Sequence, residues 1–248
     1  RAVVHRTDKI IVLSDFTKHK LISIHHVKEK RIHILPGAAD TCRFIPADDK
    51  KTVRTRLNLS PDKIIFFTVR NLIPRMGLEN LIHAIANLRK ENKNIHLIIG
   101  GTGVLKSSLE KLSSSLGLKD MITFKGFIPD NDLPFYYQAA DLFILPTLML
   151  EGFGLVTVES MACGTPVLGT PVGATPEILN RVDQRLIAPG SDSKSISESL
   201  IKIIKLIKDN PKEWTAVGRK CAAVSRTEYS WSKHAKNMES ILHQTKRT

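Results

Sequence analysis

The stretch EGFGLVTVES, residues 151–160, sets two carboxylates, Glu151 and Glu159, at the ends of a glycine-opened apolar run. A carboxylate accepts hydrogen bonds from paired hydroxyls. Gly152 and Gly154 let the backbone come close to a ligand. The apolar residues behind them read as a helix from about Leu155 to Ala162. The N-terminus of a helix leaves N–H groups free and carries a partial positive charge, which suits a phosphate. Two carboxylates on either side of a diphosphate could hold one sugar each. The bland assignment makes Glu151 an N-terminal cap and Glu159 a surface helix residue. Taken alone, the segment supports both equally.

Other loops offer complementary chemistry. RNLIPRM (70–76) carries Arg70 and Arg75, and arginine neutralises a diphosphate and stabilises a departing one. GGTG (100–103) holds Gly101 and Gly103 between an apolar run and a helical pattern. Phosphate contact and simple turn chemistry explain it about equally. TPVGAT (170–175) holds Gly173, which could supply an amide to a sugar or phosphate. It could equally be a tight turn before a helix opened by Pro176.

These loops need elements to position them. KIIFFTV (63–69), IHLIIG (95–100), MITFKG (121–126), DLFILP (141–146) and TPVLGT (165–170) read as buried strands, with QRLIAP (184–189) a weaker one. Helical patterns separate them at 77–90, 103–116 and 131–139, and a long amphipathic helix spans 193–209. The alternation predicts an α/β fold, a Rossmann-like parallel sheet with helices on both faces. Ligands of such sheets bind beyond the carboxyl ends of the strands. All the loops above lie there.

The start of the chain differs. DKIIVLSDFTKHKLISIH (8–25) is one strand–helix unit, and 32–49 adds a short strand and a proline-containing linker. Residues 1–45 are therefore expected to be the tail of a domain whose start is missing.

Composition narrows the partners. The charge of +13, from 37 Lys and Arg against 24 Asp and Glu, attracts polyanions. The basic residues are dispersed and aromatics make up only 6% of the chain. A solvated basic surface is favoured over a nucleic-acid footprint. Cys42, Cys163 and Cys221 are an odd, scattered set, as in reduced cytosolic proteins. No cysteine or histidine spacing suggests a metal site. No apolar run approaches the roughly 18 residues of a membrane span.

EGFGLVTVESMACGTPVLGTPVGATPEIL closely resembles the signature of the group 1 (family 4) retaining glycosyltransferases of the GT-B fold. ILPGAADTCRF, VRNLIPRMGLENLIHA, LIIGGTG, ITFKGFIPDNDLPFYYQAADLFILPT and YSWSKHAKNMESIL resemble further family motifs in the same order, over about 200 residues. The resemblance implies two Rossmann-like domains with a nucleotide-sugar between them. Residues 1–45 would be the acceptor-domain tail and linker, 46–228 the donor-binding domain, and 229–248 a helix crossing back. The first 30 residues and that last helix would then lack partners.

The resemblance also implies roles. Glu151 would contact the hydroxyls of the donor sugar, and Glu159 the ribose hydroxyls. The amides around Phe153, Gly154, Leu155 and Val156 would bind the diphosphate. Gly126, Phe127 and Ile128 would meet the base through their backbone. Where the family commonly has an arginine and a lysine on the diphosphate, this chain has Asn71 and Met76, with Arg70 and Arg75 each one residue earlier. Arg75, just before the helix that opens at Gly77, is the first choice for the phosphate contact. Arg70 is the second, because the end of a buried strand also suits a structural ion pair.

The expected activity is transfer of a sugar from a UDP- or GDP-linked donor to a glycan or lipid-linked acceptor, with retention and without metal or cofactor. The expected location is the cytoplasm, with peripheral contact to the anionic inner face of the membrane. The competing expectations are a nucleotide-sugar-binding module without turnover, or another GT-B enzyme such as an epimerase or phosphorylase.

Overall fold

The computed structural model describes residues 7–89 and 94–245. The ends of the expected segments 1–45 and 229–248, and the last residue of the helix expected over 77–90, lie outside the described residues. The main sheet holds β3 (Ile64–Val69), β4 (Ile95–Gly100), β5 (Ile122–Gly126), β6 (Leu142–Leu145) and β7 (Val167–Gly169), all parallel, in the order β5-β4-β3-β6-β7. Ile65, Phe66, Phe67 and the β6 residues Leu142–Leu145 are fully buried. Runs without polar alternation are what two covered faces require.

The covering helices are α3 (Leu78–Leu88), α4 (Lys106–Ser115), α5 (Leu133–Ala139), α6 (Leu155–Ala162), α7 (Thr175–Leu179), α8 (Ser193–Asp209) and α9 (Pro211–Glu228). Leu78, Leu81, Ile82, Ile85 and Leu88 form the buried stripe of α3. Phe67, Tyr137 and Phe143 pack edge to face or tilted, at 5.4–5.7 Å between centroids.

The strand order creates the site. The chain runs outward from β3 through β4 to β5, then returns to the other side of β3 as β6. The order reverses between β3 and β6, and a crevice opens at such a switch point.

Two expectations are corrected. Residues 184–189 are not a strand. Gln184–Leu186 is a 3-10 turn capped by the Asp183 side chain, and only Ile187 bridges to Gly169. Of the first 30 residues, the described ones, 7–30, do not lack partners. Here β1 (Ile10–Val12), α1 (Asp15–His25) and β2 (Ile32–Ile34) form a small parallel unit. Ser14 Oγ donates to the Gly152 carbonyl at 2.8 Å, and the Asp15 and Phe16 amides donate to the Glu177 carboxylate at 2.9 and 2.7 Å.

The last helix, α10 (Trp231–Thr245), begins where Ser230 bridges to Ala39. A further helix absent from the expectations is α2 (Lys50–Arg56). The three cysteines are free. No described helix is long and apolar enough to cross a membrane.

Candidate functional site

A cleft of about 480 Å³ opens beyond β3, β4 and β6. The loop after β3 lines it with Arg70, Asn71, Arg75 and Met76, and the loop after β4 with Gly101 and Thr102. Phe127, Ile128 and Asp130 follow β5, while Glu151, Gly154, Leu155 and Val156 follow β6. A larger groove of about 580 Å³ lies between α8 and residues 183–189. It contains none of the strand-end loops.

Glu151 is buried, and its carboxylate is engaged on one side. Arg70 Nη2 donates to Oε2 at 2.6 Å, and Thr147 Oγ1 donates to the same oxygen at 2.9 Å. Arg70 Nη1 donates to Thr147 Oγ1 at 3.1 Å, and Nη2 also reaches Met76 Sδ at 3.0 Å. The side chains are 6% and 9% exposed. Burial of this degree leaves the pair weakly screened by solvent.

Glu151 is not an N-terminal cap. The N-cap of α6 is Gly154, and no side chain caps the first turn. The backbone of the Glu151 loop is set from behind. Ala174 N–H donates to the Glu151 carbonyl at 3.0 Å. Gly173 has φ +62°, and a Cβ there would lie 1.9 Å from that carbonyl oxygen. Close approach is thus what Gly173 supplies here; it does not line the cleft.

Glu159 is half-buried and also lies outside the cleft lining. Tyr137, fully buried in the core, donates its hydroxyl to Glu159 Oε2 at 2.9 Å. Burial raises the Glu159 carboxyl above its ordinary range, the Tyr137 bond and the charge of Arg43 pull it back, and Asp130 pushes it up. Arg43 in turn donates to the Asp130 carbonyl, which joins this corner to the cleft edge.

The other expected residues are spread around the rim. Gly101, at φ +109°, lets its loop cross the β3 end, since a Cβ would lie 1.8 Å from the Arg70 carbonyl oxygen. Gly103 sits over the Leu72 backbone and does not line the cleft. Gly126 accepts from Gly101 N–H at 2.6 Å. Phe127 is 73% exposed on the rim, whereas Ile128 is buried against Gly100. Gly152 is exposed, and Phe153 is buried with its ring against Tyr229. Arg75 is half-buried and donates to the Leu150 carbonyl at 3.3 Å.

The structure therefore brings Arg70, Arg75, Gly101, Phe127, Ile128, Glu151, Gly154, Leu155 and Val156 to one cleft. Glu159, Gly103, Gly126, Gly152, Phe153 and Gly173 stand behind or beside it. Sequence reasoning missed Thr147 and Tyr137, which hold the two carboxylates. Thr147 carried one usable signal, a hydroxyl directly after a buried strand that ends at Pro146. Tyr137 carried none, since a tyrosine in an apolar helix reads as core.

The arrangement offers an uncapped helix N-terminus, a half-buried arginine and one carboxylate in the cleft at a strand-order reversal, with Glu159 behind it. Known proteins resemble the chain in sequence and fold. The chain is 30% identical over 207 residues to a GDP-mannose-dependent alpha-(1-6)-phosphatidylinositol monomannoside mannosyltransferase of Mycolicibacterium smegmatis, covering 81% of this chain and 54% of that protein. Sucrose-phosphate synthase from Thermosynechococcus elongatus superposes with a TM-score of 0.84 at 25% identity, over 98% of this chain and 60% of that one. Anabaena HepE in complex with UDP-glucose gives 0.83 at 20% identity, over 98% and 66%. The chain thus spans about half the length of the mannosyltransferase. The profile of the family described as glycosyl transferases group 1 matches residues 49–220, and the chain belongs to that family.

Proposed function

We propose that the chain is the donor-binding half of a retaining glycosyltransferase that takes a UDP- or GDP-linked sugar. The observation that carries this is the uncapped N-terminus of α6, with Glu151 before it and Glu159 just over one turn inside. The diphosphate lies on the first-turn amides. Glu151 meets the sugar hydroxyls, Glu159 the ribose hydroxyls, and the backbone at Gly126–Ile128 the base. The glycosidic bond breaks through an oxocarbenium-like state. The helix N-terminus and arginine stabilise the charge that grows on the leaving diphosphate. The nucleotide-sugar is substrate, no cofactor is invoked, and the acceptor is a glycan or a lipid-linked sugar bound by a separate half.

Calorimetry with UDP, GDP, UDP-glucose and GDP-mannose tests this. The 248-residue chain is expected to bind a nucleoside diphosphate and its sugar conjugate, yet to transfer no sugar by itself. Absence of binding to all four ligands sinks the proposal.

Glu159→Ala is expected to weaken bare UDP or GDP by about 1–3 kcal/mol, the cost of leaving charged hydrogen bonds unmade. Glu151→Ala is expected to spare the bare nucleotide and weaken the sugar conjugate. The reverse pattern refutes the two assignments.

Glu159 also predicts a pH dependence. Its folded pKa is raised above the ordinary 4.5, so the folded chain holds this proton more tightly than the unfolded one. Its contribution to stability is full below about 4.5 and is lost as pH rises through the raised value. Ribose hydroxyls donate to the ionised form, so affinity rises over that same window. A nucleotide-sugar is the right probe, because a bare diphosphate has its own ionisation near pH ~6. Glu159→Gln is expected to flatten the profile, and an unchanged profile in that variant refutes the assignment.

A further inference from the structure

The cleft holds two arginines, but only one is available to a ligand. Arg70 has both terminal nitrogens committed, Nη1 to Thr147 Oγ1 and Nη2 to Glu151 Oε2 and Met76 Sδ. Its side chain is buried and its charge is matched by Glu151. Drawing it onto a phosphate would leave that carboxylate buried without its counter-ion, a costly arrangement. Arg75 is only half-buried, and among the described residues its side chain has one hydrogen bond, to the Leu150 carbonyl.

The Glu151 carboxylate is asymmetric in the same way. Oε2 accepts from both Arg70 and Thr147. Oε1 has no hydrogen-bond partner among the described residues, and it lies beside Gly154, where α6 begins. Thr147 is fully buried, and its carbonyl accepts from Thr170 Oγ1 at 2.6 Å. The support for Oε2 is therefore itself held from below.

We propose that Arg70, with Thr147, is a positioning residue for Glu151: the two clamp Oε2 so that Oε1 alone is presented to a donor-sugar hydroxyl. This rests on the assignment of Glu151 to the donor sugar given above. A carboxylate held by one oxygen cannot rotate to suit any hydroxyl. It accepts from one direction, so the clamp sets which hydroxyl is read. A rigid planar fork that reaches two acceptors at once is something arginine supplies and lysine does not.

The test is the gain in affinity that the sugar brings, measured as the Kd of UDP over that of UDP-glucose, or of GDP over GDP-mannose. Arg70→Lys keeps the charge but loses the fork. It is expected to cut the gain by roughly tenfold while leaving the bare nucleotide within about twofold. Thr147→Val, close in shape, is expected to cut it roughly threefold, and Thr147→Ser to restore it.

A merely structural role would shift the melting temperature and both affinities together. If Arg70→Lys weakens the bare nucleotide as much as the conjugate, Arg70 is a phosphate ligand and the inference is overturned. Should Arg70→Lys fail to fold, an unchanged gain in Thr147→Val overturns it instead. A wild-type chain that binds no nucleotide at all removes the donor-site assignment itself, which is a different result from either.

Discussion

Replacing Arg54 by alanine is expected to destabilise the chain by about 3–5 kcal/mol, the range for removing one partner of a buried ion pair. Arg54 is 6% exposed and engages all three of its guanidinium nitrogens. Nε donates to the Ala139 carbonyl at 3.0 Å, Nη1 to the carbonyls of Pro61 and Lys63 at 3.0 and 3.2 Å, and Nη2 to Asp141 Oδ2 at 2.6 Å. That Asp141 oxygen also accepts the Ile65 amide at 2.8 Å. One side chain thus ties α2 to the starts of β3 and β6, the two strands whose far ends form the cleft.

Lys50 supplies the control, because it meets the other Asp141 oxygen at 3.1 Å but is 43% exposed. Lys50→Ala is expected to cost less than about 1 kcal/mol, as solvent-screened pairs do. Its remaining charge also eases the loss of Arg54, which places that loss toward the lower end of the range. Denaturant unfolding of both variants decides it. Equal losses would mean that the Arg54 network contributes no more than a surface pair.

Arg54 also shows where sequence reasoning stops. The segment DDKKTVRTR reads as solvated charge, since Val53 is the only apolar residue in it. What makes α2 a packed helix is the Asp49 side chain capping its first turn and an arginine paired with an aspartate 87 residues away. No local window holds that second fact. α9 was overlooked for a related reason. Its buried face is built from Trp214, Val217, Gly218, Cys221, Ala222 and Ser225, small or mixed residues that give a weak periodic signal. Where burial is continuous or strongly periodic, the sequence was legible. α6 at Leu155–Ala162 and α8 at Ser193–Asp209 match the expected spans residue for residue.

The site divides in the same way. The spacing of Glu151 and Glu159 around two glycines was visible, and so were the strand-end loops. The partners of those glutamates come from other parts of the chain, Arg70 from the loop after β3 and Tyr137 from α5, and depend on the order in which strands lie in the sheet. Sequence order gives no direct view of that. The alternative of a structural ion pair at Arg70 was legible from its place after a buried strand; which carboxylate it would meet was not.

The cation that acts on the diphosphate is therefore expected to be Arg75. A diphosphate gains charge as its sugar departs, so a cation placed there stabilises the transition state more than the ground state. Losing one such donor costs roughly 10²–10³ in turnover. In an active transferase that contains this chain, Arg75→Ala is expected to lower kcat by about 10²-fold, the low end because the side chain is only half-buried. The Michaelis constant for the nucleotide-sugar is expected to change less. Arg70→Ala is expected to act through Glu151, raising that constant and lowering turnover less than Arg75→Ala does. Steady-state kinetics on the two variants separate the roles. If Arg75→Ala leaves turnover intact while Arg70→Ala abolishes it, the phosphate contact belongs to Arg70. The buried pair with Glu151 would then have to open each time a donor binds.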